Sequence, residues 1–134
     1  MKFLVLIITL SVSCITYAQK VTNIASIKTE KDYDNILVEK LDTDTNSTSF
    51  IIWIKKGVKS HKHEKHSELI VVIEGTGNML IGRNKLTINP GDYFRIPQNT
   101  FHSLEVTSKK PMKVLSVQTP EFLGVDRVFE NNTK

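Results

Sequence analysis

A chain of 134 residues with a formal charge of +4 is the length of one domain. Its lysines are scattered and carry no interleaved aromatics, which argues against a nucleic-acid partner. The single cysteine, Cys14, rules out an internal disulfide and a thiolate-rich zinc site.

The first segment reads as an export signal. Lys2 supplies a positive start, residues 3–10 are apolar, and Thr16-Tyr17-Ala18 puts small residues at the cleavage positions. The apolar run is too short to span a bilayer. Cleavage between Ala18 and Gln19 removes 18 of the 134 residues and leaves 116, with no thiol and no membrane segment. The expected compartment is then the periplasm or the medium. Lipidation at Cys14 is the alternative, although Ser11-Val12-Ser13 makes a poor lipoprotein signal.

Residues 19–34 are polar and charged and read as a loosely held N-terminal arm. Residues 35–41 alternate apolar and polar, the pattern of a strand, and 42–49 are turn-rich. Residues 50–54 are apolar at every position, so both faces are covered and Trp53 belongs to the core. A charged turn over 55–60 leads into H-K-H-E-K-H. His61 and His63 are two apart, so a strand presents both imidazoles on one face. In the next run Glu68, Ile70 and Val72 share one face, and Leu69, Val71 and Ile73 share the other. A strand apolar on both faces needs two covers, and a homodimer through this sheet is expected to supply the second.

Gly75-Thr76-Gly77, Gly82-Arg83-Asn84 and Asn89-Pro90-Gly91-Asp92 punctuate short strands over 78–81, 85–88 and 93–96. Further strands over 100–107 and 112–119 end at Pro120, and residues 121–129 read as a short helical or irregular cover on one edge. This succession predicts an all-β antiparallel sandwich or barrel.

Inward and outward residues alternate along barrel strands, so ligands far apart in sequence can meet inside. His61, His63, Glu68 and His102 supply three imidazoles and a carboxylate, which leaves one or two positions open on an ion, the arrangement of a catalytic site. A divalent transition metal is expected: Mn, Fe, Co, Ni, Cu or Zn. His66 falls between ligands and reads as facing solvent with Lys62 and Lys65. Ser116, Gln118, Tyr93 and Arg95 are the candidates beside the ion, from strand position alone.

These segments resemble the two motifs of the cupin superfamily. The first, G-x5-H-x-H-x3-4-E-x6-G, is matched by His61, His63, Glu68 and Gly75, with Gly57 three residues before His61. The second, G-x5-P-x-G-x2-H-x3-N, is matched by Gly91, Pro97 and His102, with Asn99 at the second glycine and Val106 at the asparagine. The resemblance implies a single antiparallel double-stranded β-helix, or jelly-roll barrel, over residues 35–120, followed by a tail over 121–134. Residues 111–128 also resemble the end of the cupin domain in type II mannose-6-phosphate isomerases, where V-Q-[ST] runs into an aromatic-L-G-x-D tail. That resemblance implies a metal acting as Lewis acid on a sugar carbonyl. Other small cupins open 4,5-unsaturated uronates with an acid/base carboxylate shortly before the proline, where this chain has Ser116. The expected function is an exported metal-binding cupin acting on a sugar or sugar acid, by isomerase- or uronate-processing chemistry in polysaccharide utilisation. The alternatives are a non-catalytic carbohydrate-binding cupin and a metal-dependent dioxygenase.

Overall fold

The computed structural model describes residues 21–130; the expected export signal lies outside the described residues. A single 3-10 turn (Ile24–Ser26) precedes ten strands: β1 (Ile36–Thr43), β2 (Thr48–Ile54), β3 (Gly57–His63), β4 (Ser67–Glu74), β5 (Gly77–Ile81), β6 (Asn84–Ile88), β7 (Tyr93–Ile96), β8 (His102–Val106), β9 (Met112–Thr119) and β10 (Arg127–Phe129). They form two facing five-stranded sheets, ordered β1-β2-β9-β4-β7 and β10-β3-β8-β5-β6. Every pairing is antiparallel, as the short strands and tight turns predict.

Alternation decides which side chains meet between the sheets. Ile52 and Ile54 of β2, Ile70 of β4, Phe94 and Ile96 of β7, and Met112 and Val114 of β9 point inward from the first sheet. Val58, Met79, Ile88 and Leu104 answer them from the second. The buried core gathers Ile54, Ile70, Val72, Met79, Ile88, Ile96, Met112 and Val114. Gly57 permits β3 to approach β8 closely, because a Cβ there would lie 2.2 Å from the Leu104 carbonyl oxygen. The charged turn expected over 55–60 is correspondingly short, and β3 already begins at Gly57.

The outer face of the first sheet is apolar as well. Ile51 and Trp53 are buried there, while Leu69, Val71, Ile73, Leu115 and Val117 are half-buried. Lys113 lies on the same face, because its neighbours Met112 and Val114 point inward. The residue is only 2% exposed, and its ammonium donates to the carbonyls of Ala25 (3.1 Å) and Ile27 (2.7 Å). The arm that reads as loose in sequence is therefore tethered to β9. Composition alone hides this, since the acceptors are backbone atoms. The tail also differs from a helical or irregular cover: β10 adds an edge strand to β3, pairing Arg127 with His63 and Phe129 with His61.

The tether generates one prediction. Lys113→Met keeps the stem and removes both hydrogen bonds from a charged donor, so the arm should come free about tenfold more often. Trypsin should then cut after Lys28 and Lys31 correspondingly faster. Unchanged cleavage rates would show that other contacts hold the arm.

Candidate metal centre

The β3–β8 register sets His61 directly opposite His102. His63 lies two residues further along the same face of β3, and the ring nitrogens of all three residues come within 4.8 Å of one another. All three side chains are buried. Glu68 reaches them from the other sheet, with Oε2 3.6 Å from His63 Nε2 and 3.8 Å from His102 Nε2. Ligands around one first-row ion, each about 2.0–2.1 Å from it, lie roughly 3–4 Å apart. The four residues expected from the motifs thus come together at one end of the barrel, at spacings that suit such an ion.

The outer nitrogens explain the orientation. Nδ1 of His61 lies 2.8 Å from the Lys59 carbonyl oxygen, and Nδ1 of His102 lies 3.0 Å from that of Thr100. A carbonyl only accepts, so Nδ1 carries the proton in both rings and the Nε2 lone pair faces inward. His102 Nε2 is buried without a hydrogen-bond partner. A buried lone pair with no donor facing it is what a cation would satisfy. On Glu68, Oε1 accepts from the Ser116 hydroxyl and from Gln118 Nε2 at 3.4 Å, which leaves Oε2 aimed at the imidazoles.

Electrostatics keep His61, His102 and Glu68 in ligating form. Burial pulls His61 down to about 4, against the Lys59 hydrogen bond, and the positive neighbourhood of His102 and Arg127 adds to the fall. Burial also lowers His102. For Glu68, burial pushes the other way, but the adjoining His63 imidazole and the Ser116 hydrogen bond outweigh it and hold the carboxyl at about 2. Neutral imidazoles and an ionised carboxylate are the forms that bind a divalent ion.

Of the four residues expected beside the ion, the structure brings in two. Ser116 and Gln118 are buried against Glu68 and set its orientation. Tyr93 and Arg95 alternate with the inward Phe94 and Ile96 and so lie on the outer face. Tyr93 is 63% exposed, and Arg95 donates to Ser67 Oγ at 3.3 Å. His66 is the main correction. Instead of facing solvent it is 2% exposed, stacks on His63 with centroids 4.2 Å apart, and bonds Asp126 Oδ2 through Nδ1 at 2.7 Å. The turn after β3 folds His66 back beneath the tail, which strand periodicity does not describe. Asp126 and Arg127 were missed altogether; the only sequence pointer to Asp126 was its place in the F-L-G-x-D run.

Below the histidine cluster a cavity of about 100 Å³ runs between the sheets. Its lining is aliphatic or aromatic except for His61, His63, Glu68, His102 and Arg127. Ile36 and Val38 of β1, 41% and 48% exposed, form part of its rim. Asn99 holds φ at +59° in the turn before β8, the conformation for which the second motif carries glycine.

The depressed imidazoles set the pH response of metal-free protein. An unfolded chain protonates His61 near its ordinary 6.5, whereas the native chain does so only near 4. Stability is therefore fully present above 6.5 and is lost as pH falls toward 4. His102 acts in the same direction, and Glu68 adds a further loss only below its ordinary 4.5. Thermal melts of chelator-treated protein should show Tm falling between pH 7 and pH 4.5. A flat or rising Tm would contradict buried neutral imidazoles.

Comparison with known proteins agrees with this geometry. A family model described as Cupin domain matches residues 50–118. The chain is 28% identical over 91 residues to mannose-1-phosphate guanylyltransferase RfbM of Salmonella typhimurium, covering 66% of this chain and 19% of that protein. It is 34% identical over 64 residues to quercetin 2,3-dioxygenase of Bacillus subtilis, covering 44% of this chain and 19% of that one. The chain thus spans about a fifth of the length of these two curated relatives. Among solved structures, KdgF from Halomonas sp. superposes with a TM-score of 0.63 at 20% identity, over 69% of this chain and 86% of that chain, which is a likeness of fold. Two facing sheets that carry both motifs to one end of a barrel, within a domain match spanning half of the sequence, make this chain a member of the cupin family.

Proposed function

We propose that this chain is an exported, metal-dependent cupin enzyme whose substrate is a small, largely apolar molecule that meets the ion through an anionic oxygen. His61, His63, Glu68 and His102 would hold the divalent ion, which supplies Lewis-acid activation of that oxygen. The observation that carries the substrate reading is the cavity lining. A sugar hydroxyl buried against Ile70, Met79, Phe94 or Leu104 would lose water without gaining a partner, at roughly 1–3 kcal/mol for each group. An apolar group loses nothing there, and at about 100 Å³ the cavity takes a fragment smaller than the benzene that a cavity of roughly 150 Å³ with such walls holds. Arg127 at the cavity adds a positive charge for a carboxylate, enolate or phenolate. Larger molecules can leave their remainder against Ile36 and Val38 at the rim.

Of the chemistries expected from sequence, dioxygenation of an apolar enol fits this cavity best. The partial likeness to quercetin 2,3-dioxygenase supports it. Both atoms of O2 enter the product in such a reaction, so no external reductant is required. The second reading, a sugar acid, is favoured by Arg127, which can pair with a carboxylate, and by the partial likeness to RfbM. Residues 1–18, read as an export signal, support a periplasmic or extracellular site of action for either substrate. The half-buried apolar strip of Leu69, Val71, Ile73, Leu115 and Val117 supports a homodimer through the first sheet. Sedimentation at micromolar concentration should then give a dimer, and a monomer would leave that strip without its proposed cover.

Two measurements test the reading of the site. Wild type should bind one divalent ion, and His102→Ala should weaken it on the order of 100-fold, because structural binding energies of roughly 10–16 kcal/mol are spread over four ligands. Undiminished affinity would remove His102 from the site. Fe(II)-loaded protein should consume O2 with apolar enols and phenols and leave unsaturated uronates and hexoses unchanged. Turnover of the sugar acids without O2 uptake would instead establish the second reading.

A further inference from the structure

The three imidazoles are not held alike. His61 and His102 each give Nδ1 to the carbonyl two residues earlier on the chain. His63 has no such partner, and its Nδ1 is buried and unsatisfied. Oδ1 of Asp126 lies 3.8 Å away and is likewise buried and unsatisfied. A donor and an acceptor, each lacking a partner, thus face one another across less than an ångström more than a hydrogen bond spans. The other oxygen of Asp126 is already fixed, accepting from His66 Nδ1 at 2.7 Å and from the Lys65 backbone N–H at 3.0 Å.

Asp126 reaches this position only because the C-terminal segment docks. Its carbonyl accepts from the Glu64 N–H at 3.0 Å, and β10 continues the contact by pairing with the histidine-bearing strand. Phe122 packs edge-on against His66 at 5.6 Å, and its N–H donates to Thr48 Oγ1 at 3.0 Å. Glu130 N–H donates to the Ser60 carbonyl at 3.0 Å.

We propose that Asp126 is the positioning carboxylate of His63, so that metal binding and docking of residues 122–130 form one coupled event. The inference rests on the metal-binding reading above. An ion taken up at Nε2 of His63 requires the proton on Nδ1, and Asp126 Oδ1 accepts that proton's hydrogen bond. The carboxylate fixes the tautomer and raises the basicity of the ligand nitrogen. Linkage makes the effect reciprocal: whatever the docked segment adds to metal affinity, the metal adds to docking. A second ion between His63, His66 and Asp126 is disfavoured, because a 2.7 Å contact between His66 and Asp126 is a shared proton with no room for a cation.

The test uses the mature chain and Zn(II) alone. Competition against a chelating dye should show Asp126→Ala binding zinc about 10–100-fold more weakly than wild type, at a stoichiometry of one. Hydrogen exchange on wild type, which needs no variant to fold, should show slower exchange over residues 122–130 when zinc is added. Equal affinity in wild type and Asp126→Ala, exchange in that segment indifferent to zinc, or two ions per chain would each overturn the coupling. Wild type that binds no zinc would bring down the metal reading and this inference together. Wild type that binds while Asp126→Ala binds equally well would sink only the inference.

Discussion

An imidazole presents one lone pair to an ion only if its other nitrogen keeps the proton. That requirement orders the whole centre. Two rings meet it with a backbone carbonyl two residues back, which β3 and the turn before β8 supply through their local geometry. Glu68 meets the equivalent requirement through Ser116 and Gln118, which occupy one oxygen and free the other. Each set lies on one sheet, so the site exists only where the two sheets face one another. The β3–β8 register, which puts His61 opposite His102, and the β4–β9 register, which puts Glu68 beside Gln118, carry as much of the chemistry as the side chains do.

The same barrel must reconcile a charged mouth with an apolar interior. Ions and carboxylates are tolerated inside a protein only when they are paired. Here the ionisable groups sit together at one end, and the aliphatic lining begins immediately below them. The cavity therefore presents charge at one end and hydrocarbon along its length. The two ends of the chain close the structure in different ways. The arm meets the first sheet at Lys113 and satisfies its buried ammonium. The tail adds a strand to the second sheet and brings Asp126 beneath the histidines.

Much of this was legible in the sequence. The all-β class follows from short alternating runs broken by Gly, Pro and Asn, and the histidine cluster that could hold a metal follows from His61 and His63 at strand spacing with His102 after its own turn. Asn99 could stand for glycine because it tolerates positive φ, and it adopts that conformation here. The remainder was hidden for identifiable reasons. Tyr93 and Arg95 sit on the right strand, but alternation turns them outward. His66 follows no strand period, since a turn rather than a strand places it. Arg127 opens a three-residue edge strand too short to show a pattern, Asp126 lies in the segment just before it, and the pairing with β3 that brings both in is a long-range event. The tether on Lys113 depends on carbonyls, which every residue has and no sequence distinguishes.

If residues remote along the chain grip one ion in the mouth of the barrel, imidazole nitrogens must surround that ion. X-ray absorption at the metal edge of zinc-loaded protein tests it directly, because imidazoles leave a distinctive multiple-scattering pattern. The account predicts three imidazole nitrogens and at least one oxygen donor at about 2.0–2.1 Å. A spectrum with fewer than two imidazoles, or with oxygen donors only, would place the metal elsewhere and contradict it.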